Sequence, residues 1–168
     1  MGATGASPEP TSVAPPHNVE AEASLLGTIL LSDQALDAVL LDVGLRPDDF
    51  YRPRHQLIFR AMIRLKERAE PEAVNTVTVC DDLRRNGELE RAGGEEYVQS
   101  LPTVVPSLGA FLDYARIVKE HAQLRRLLDA AQEIERRVLA EPGDPRELIA
   151  WAENALFRIG HDEGRGEM

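Results

Sequence analysis

The chain has 168 residues, 43% hydrophobic and 29% charged, and its 29 acidic residues against 19 basic ones leave a net charge of −10. That length is one ordinary domain able to bury its own core, and the composition is globular. A field so negative repels phosphate, which argues against a chain that grips nucleic acid by itself. The single cysteine, Cys80, excludes an internal disulfide framework and is the usage expected of a cytoplasmic protein. The best apolar run, Leu25 to Leu31, is broken by Gly27 and Thr28 and falls short of the ~20 residues that span a bilayer. The first Lys or Arg is Arg46, so the early positive charge of a signal or transit peptide is missing.

Residues 1–16 are small, proline-rich and without apolar periodicity, and are expected to form a disordered arm. Helices follow. Asn18 is placed to cap the first, with Glu20 and Glu22 in its positive first turn. Leu25, Leu26, Ile29 and Leu30 share one helical face. Ser32 restarts the chain, and Leu36, Val39 and Leu40 mark a short second helix. Pro53 suits the first turn of a third, striped by Leu57, Ile58, Ala61, Met62 and Leu65. Val74, Val77 and Val79 alternate with polar residues as a brief strand would. Thr78 with Asp81 resembles a capping box opening a helix that stops at Asn86-Gly87. Gly93-Gly94 leads into a short helix carrying Tyr97, Val98 and Leu101.

From Ala110 to Glu141 the chain runs without Gly or Pro. At 1.5 Å per residue this helix is roughly 50 Å long, more than a globule of this size covers. Pro142-Gly143 turns the chain, and Asp144, Pro145 and Glu147 supply an N-cap, a first-turn proline and a capping-box partner for a last helix reaching about Ile159. The expected fold is all-α: a helical head (17–104), a protruding antiparallel helical hairpin (105–160) and the start of a linker (161–168).

The long helix carries two apolar stripes. Phe111, Ala115, Val118 and Ala122 form one; Tyr114, Ile117, Leu124, Leu128, Ala131 and Ile134 form the other, about 120° away. On the second arm Leu148, Ala152, Ala155, Leu156 and Ile159 share a face bordered by Trp151, while Phe157 points the opposite way. One partner helix does not cover so wide an arc. Either the head folds back over it, or another subunit does. The second alternative makes Phe111, Tyr114, Ile117, Val118, Leu124, Leu128, Ala131, Ile134, Leu148, Trp151, Leu156 and Phe157 the candidate oligomer and partner interface.

Catalytic signals are sparse. There is no G-x-x-x-x-G-K-[ST] loop and no Gly-Lys pair, so no nucleotide cofactor site is expected in this chain. The four histidines, at 17, 55, 121 and 161, lack zinc-site spacing, and no metal is expected. The acidic pairs Asp48-Asp49, Asp81-Asp82 and Glu95-Glu96 sit at expected helix starts and read as caps. Cys80 beside Asp81 and Asp82 has its pKa raised, the opposite of an activated nucleophile. The arginine pairs 84–85, 125–126 and 136–137 read as solvated helix faces laced with i,i+4 partners, such as Arg125 with Asp129 and Glu133 with Arg137.

Ordered motifs add a resemblance. Pro16-His17-Asn18-Val19-Glu20-Ala21-Glu22, then Ser24-Leu25-Leu26-Gly27, are followed by Asp49-Phe50-Tyr51-Arg52-Pro53-Arg54-His55 with Ile58-Phe59. Further on come Val77-Thr78-Val79, Leu83, Gly87-Glu88-Leu89, Gly93-Gly94 with Tyr97, and Val105-Pro106-Ser107. The helical third carries Tyr114-Ala115-Arg116-Ile117-Val118, Leu124-Arg125-Arg126-Leu127, Ala152-Glu153 and Leu156-Phe157-Arg158-Ile159. From residue 15 to 160 this order resembles the amino-terminal domain of bacterial replicative DNA helicases of the DnaB family. The stretch Arg68 to Asn75 departs from the family's Gly-x-Pro-Val-Asp.

The resemblance implies a non-catalytic collar built from dimers, a trimer of dimers within a hexamer, and docking of the primase carboxy-terminal domain, with a helicase loader as a further partner. It implies little direct DNA binding by this domain and a cytoplasmic replisome location. ATP and Mg belong, on this reading, to a RecA-like motor that lies beyond these residues, and the intact parent is an ATP-dependent DNA helicase. The competing classes are a stand-alone helical nucleic-acid-binding regulator, opposed by the net charge, and a small helical enzyme, which needs a convergent polar cluster.

Overall fold

Asn18 opens the first helix by the expected mechanism: its side-chain oxygen accepts the Ala21 N–H at 2.9 Å. The structure, a computed structural model, describes residues 13–140 and 143–161. The expected linker from 162 onward, most of the expected arm (1–12) and Pro142 of the expected turn lie outside these residues. Helix α1 spans Val19–Leu31 and α2 Gln34–Ala38. A widened helical turn, Val39–Val43, extends α2 and ends at Gly44, whose positive φ suits glycine. Then come α3 (Pro53–Glu67), α4 (Thr76–Arg85), α5 (Gly94–Ser100), α6 (Phe111–Leu139) and α7 (Pro145–His161). No strand occurs among the described residues.

The alternating valines are therefore a correction. Val77 and Val79 lie in α4, and Val74 just precedes it. The true cap is Asn75, one turn before the expected Thr78: Asn75 accepts from the Val77 and Thr78 N–H groups, while the Thr78 hydroxyl accepts the Asn75 N–H. Val79 enters the core and Val77 faces out. A cap plus a helical face outweighs three alternating valines.

The core lies between α1, α3, α4 and the first half of α6, with Leu25, Leu26, Ile29, Leu36, Phe50, Ile58, Phe59, Met62, Leu65 and Leu83 fully enclosed. Two buried carboxylates lock its loops. Glu22 lies in the first turn of α1 as expected, and is buried there. It accepts the Tyr51 N–H at 2.8 Å and the His55 Nδ1–H at 2.8 Å. The other ring nitrogen, Nε2, is hydrogen-bonded with the Tyr97 hydroxyl, which joins α5 to α3 and α1. Asp82, expected as a cap, lies inside α4, buried, and accepts from Arg64 at 2.7 Å and Arg68 at 2.9 Å. Both carboxylates obey the rule that a buried charge is paired and hydrogen-bonded.

Gly27 lies where α1 meets the turn at Leu101–Val104. A Cβ there falls 2.2 Å from the Leu101 carbonyl oxygen and 2.8 Å from Val105 Cγ2. The nearest atoms belong to the Leu101 backbone carbonyl, which has no flexible end to move aside. Gly27→Ala is therefore expected to lose about 1–3 kcal/mol despite alanine's better helix propensity. At roughly 2–4 °C per kcal/mol, thermal unfolding followed by circular dichroism reads this as a fall of several degrees. An unchanged or raised melting temperature contradicts the close approach.

Candidate functional site

The 29 residues of α6 make a rod of about 43 Å, and its two halves have different surroundings. In the first half Ala115, Val118 and Ala122 are buried in the head, and Phe111, Tyr114 and Ile117 lean half-buried on the core's edge. The first stripe thus belongs to the head. Val118, expected at an intermolecular interface, is only 2% exposed within this chain and is removed from that surface. The head folding back accounts for this half of the helix.

The second half meets α7. Asp144 caps α7, its Oδ1 accepting the Arg146 N–H at 3.0 Å. Leu148, Trp151, Ala152, Ala155 and Ile159 are half-buried, as is Ile134 of α6. The Arg137 guanidinium lies 3.8 Å from the centre of the Trp151 ring, a cation–π contact across the hairpin. One partner arm leaves much uncovered. Leu124, Leu128 and Ala131 of α6 are exposed, and so are Leu156 and Phe157 of α7, Phe157 to 59%.

Sequence reasoning missed Leu127, Val138 and Ile149, which are also exposed. The signal was available: Leu124, Leu127, Ala131, Ile134 and Val138 fall at i, i+3, i+7, i+10 and i+14, the spacing of a coiled-coil seam. Ile149 stands one heptad before Leu156. Contiguous apolar stripes of this kind, left open on the outside of a chain, mark interaction sites.

Arg125 and Arg126 are no solvated pair. Arg125 donates to the Pro16 carbonyl at 2.8 Å and the Asp49 carbonyl at 2.7 Å, and Arg126 donates to Asp49 Oδ1 at 2.5 Å. Burial lowers the Arg125 pKa from its ordinary value. Asp49 itself is fully buried; it caps its turn as expected, accepting the Arg46 N–H, but also pairs with Lys119. Pro15 and Pro16, expected in a disordered arm, are half-buried, and Pro15 accepts a hydrogen bond from His17 Nδ1. Elsewhere the solvated-face reading fits: Arg116 with Asp113, Arg136 with Glu133, and Arg137 with Glu133 pair within α6. Cys80 has its pKa raised, as expected, first by burial and then by Glu95, against an opposing effect of Arg84. Among the described residues no group of three or more His, Cys, Asp or Glu is arranged to hold a metal, and no helix is long and apolar enough to cross a membrane.

Fold and surface define a class: an all-helical head with a projecting, apolar-faced hairpin. The family model described as the DnaB-like helicase N terminal domain matches residues 14–120. The chain is 40% identical over 153 residues to the replicative DNA helicase DnaB of Leifsonia xyli subsp. xyli, covering 91% of this chain but 32% of that helicase. It therefore spans about a third of that relative's length. Its structure is similar to the crystal structure of the N-terminal domain of DnaB helicase from Mycobacterium tuberculosis, with a TM-score of 0.77, 39% identity, and coverage of 85% of this chain and 99% of that one. A second similar structure, that of a DnaB-like replicative helicase and its interactions with primase, gives a TM-score of 0.66 at 25% identity, covering 84% of this chain and 31% of that one. The chain belongs to the DnaB-like helicase N-terminal domain family.

Glu133 reports on the outer hairpin. Hydrogen bonds from Arg136 and then Arg137 hold its pKa down at about 2, well below the usual carboxylate range. A depressed folded-state pKa means that its contribution is present above the ordinary glutamate pKa and fades as pH falls toward about 2. Carboxyl NMR titration is expected to place the Glu133 midpoint near 2, and a midpoint in the ordinary glutamate range contradicts the paired geometry.

Proposed function

We propose that this domain is a non-catalytic assembly and partner-docking module, part of the collar of a hexameric replicative DNA helicase. Its hairpins pair in dimers, three of which make the ring, and the collar docks the primase carboxy-terminal domain so that priming stays tied to unwinding. The observation that carries this is the exposed apolar stripe on both arms of the hairpin. The seven exposed Leu, Val, Ile and Phe side chains named above, at up to ~1.5–3 kcal/mol each, supply on the order of 10–20 kcal/mol. That competes with the 4–15 kcal/mol or so lost in association. Family membership and the relative described with primase support the choice of partners, and a helicase loader is a further candidate for the same surface.

On this reading the activity of the parent, ATP-driven DNA unwinding at a cytoplasmic replisome, resides in a motor domain that holds ATP and Mg. This domain then makes little direct contact with DNA, consistent with its charge of −10.

Charge on the stripe tests the proposal. Leu128 is 39% and Phe157 59% exposed in one chain, so Leu128→Glu and Phe157→Glu leave the head core untouched. In a symmetric pair each carboxylate is introduced twice, and a buried unpaired one costs several kcal/mol. At 1.4 kcal/mol per tenfold, the dimer constant is expected to weaken by about a hundredfold or more, read by sedimentation velocity with helical circular dichroism retained. Variants that sediment like the parent chain overturn the interface assignment.

A further inference from the structure

The head-facing stripe of α6 changes character along its length. Ala115, Val118 and Ala122 are apolar; Lys119, Arg125 and Arg126, on the same side, are basic. Lys119 sits between Val118 and Ala122, and the two arginines follow where the helix leaves the head; all three cations converge on one residue. Asp49 Oδ1 accepts from Arg126 at 2.5 Å, Oδ2 from Lys119 at 3.2 Å, and the Asp49 carbonyl from Arg125 at 2.7 Å. Lys119, only 3% exposed, also donates to the Gly44 carbonyl at 3.3 Å.

The cluster reaches the start of the described chain. Arg125 donates to the Pro16 carbonyl and lies 5.4 Å from the Tyr51 ring centre, and Tyr51 stacks on His17 at 4.2 Å with planes 21° apart. The set is not saturated: Arg126 Nη1 is buried without a hydrogen-bond partner. Apolar helix packing leaves a crossing angle free to vary by ~15–20°, whereas charge-assisted bonds demand one geometry. A buried charge that loses its partner is strongly penalised, so these contacts hold or release together.

We propose that Asp49 is a positioning residue: with Lys119, Arg125 and Arg126 it forms a charged joint that holds the hairpin at one angle on the head and couples that angle to residues 15–17. The joint lies within one chain and does not depend on what the hairpin binds.

The test is a distance between spin labels on the head and near the hairpin tip, at Arg91→Cys and Arg146→Cys in a Cys80→Ala background. The full chain is diluted with unlabelled chain to suppress distances between copies. The parent is expected to give one narrow distribution. Asp49→Asn, which keeps the shape and one acceptor oxygen but removes the charge, and Arg125→Ala are each expected to double its width or shift its mean. His17→Ala is expected to do the same more weakly. Should circular dichroism show Asp49→Asn unfolded, Arg125→Ala decides, since Arg125 is partly exposed. Folded variants at both positions with the parental distribution overturn the joint. A change in these two with none in His17→Ala overturns its coupling to residues 15–17.

Discussion

The structure depends on one constraint: α6 is longer than the head covers. Three small or branched residues, Ala115, Val118 and Ala122, let its first half pack close against α1 and complete the core. The same rigid helix, unbroken by Gly or Pro, then carries Leu124, Leu127, Leu128 and Val138 into the open. A proline or glycine near residue 123 would let the chain fold back and hide them. Its absence means that the burial which stabilises the head also sets the apolar face of the hairpin out from it. Stability and partner binding share one element.

Buried charge does the orienting. Apolar helix packing sets the direction of α6 to within ~15–20°, and buried hydrogen-bonded charge narrows it further. Glu22 fixes the 51–55 turn through two backbone or ring donors, and Asp49 fixes α6 through three cations. Each is enclosed, so each partner set has to be nearly complete for the fold to tolerate the charge. Such pairs are weak sources of net stability and strong sources of geometry.

Local signals were legible and distant ones were not. Asn18, Pro53, Asn86-Gly87 and Asp144-Pro145 announce helix ends because caps act over three or four residues. The stripes of α1, α3 and α6 announce buried faces for the same reason. The distant partners of Glu22, Asp49 and Asp82 were hidden, since they lie 14 to 77 residues away and each carboxylate has a plausible local role at a helix start. Arg125 and Arg126 misled likewise: Asp129 at i+4 offers a local partner, while the real ones, Pro16 and Asp49, are far off in sequence. The two-stripe pattern on α6 announced double burial without saying which stripe meets the head. That choice is tertiary, and it moved Val118 from interface to core. The ordered motifs named the family directly.

The central claim is that the outer hairpin is finished by another chain and the inner half of α6 by its own head. Hydrogen–deuterium exchange at rising protein concentration separates the two. Amides of residues 124–139 and 145–161 are predicted to gain protection as concentration rises, while those of residues 111–122 stay equally protected throughout. Protection of the outer hairpin that is high at the lowest concentration and constant above it would contradict the account, for it would mean that a single chain completes the hairpin unaided.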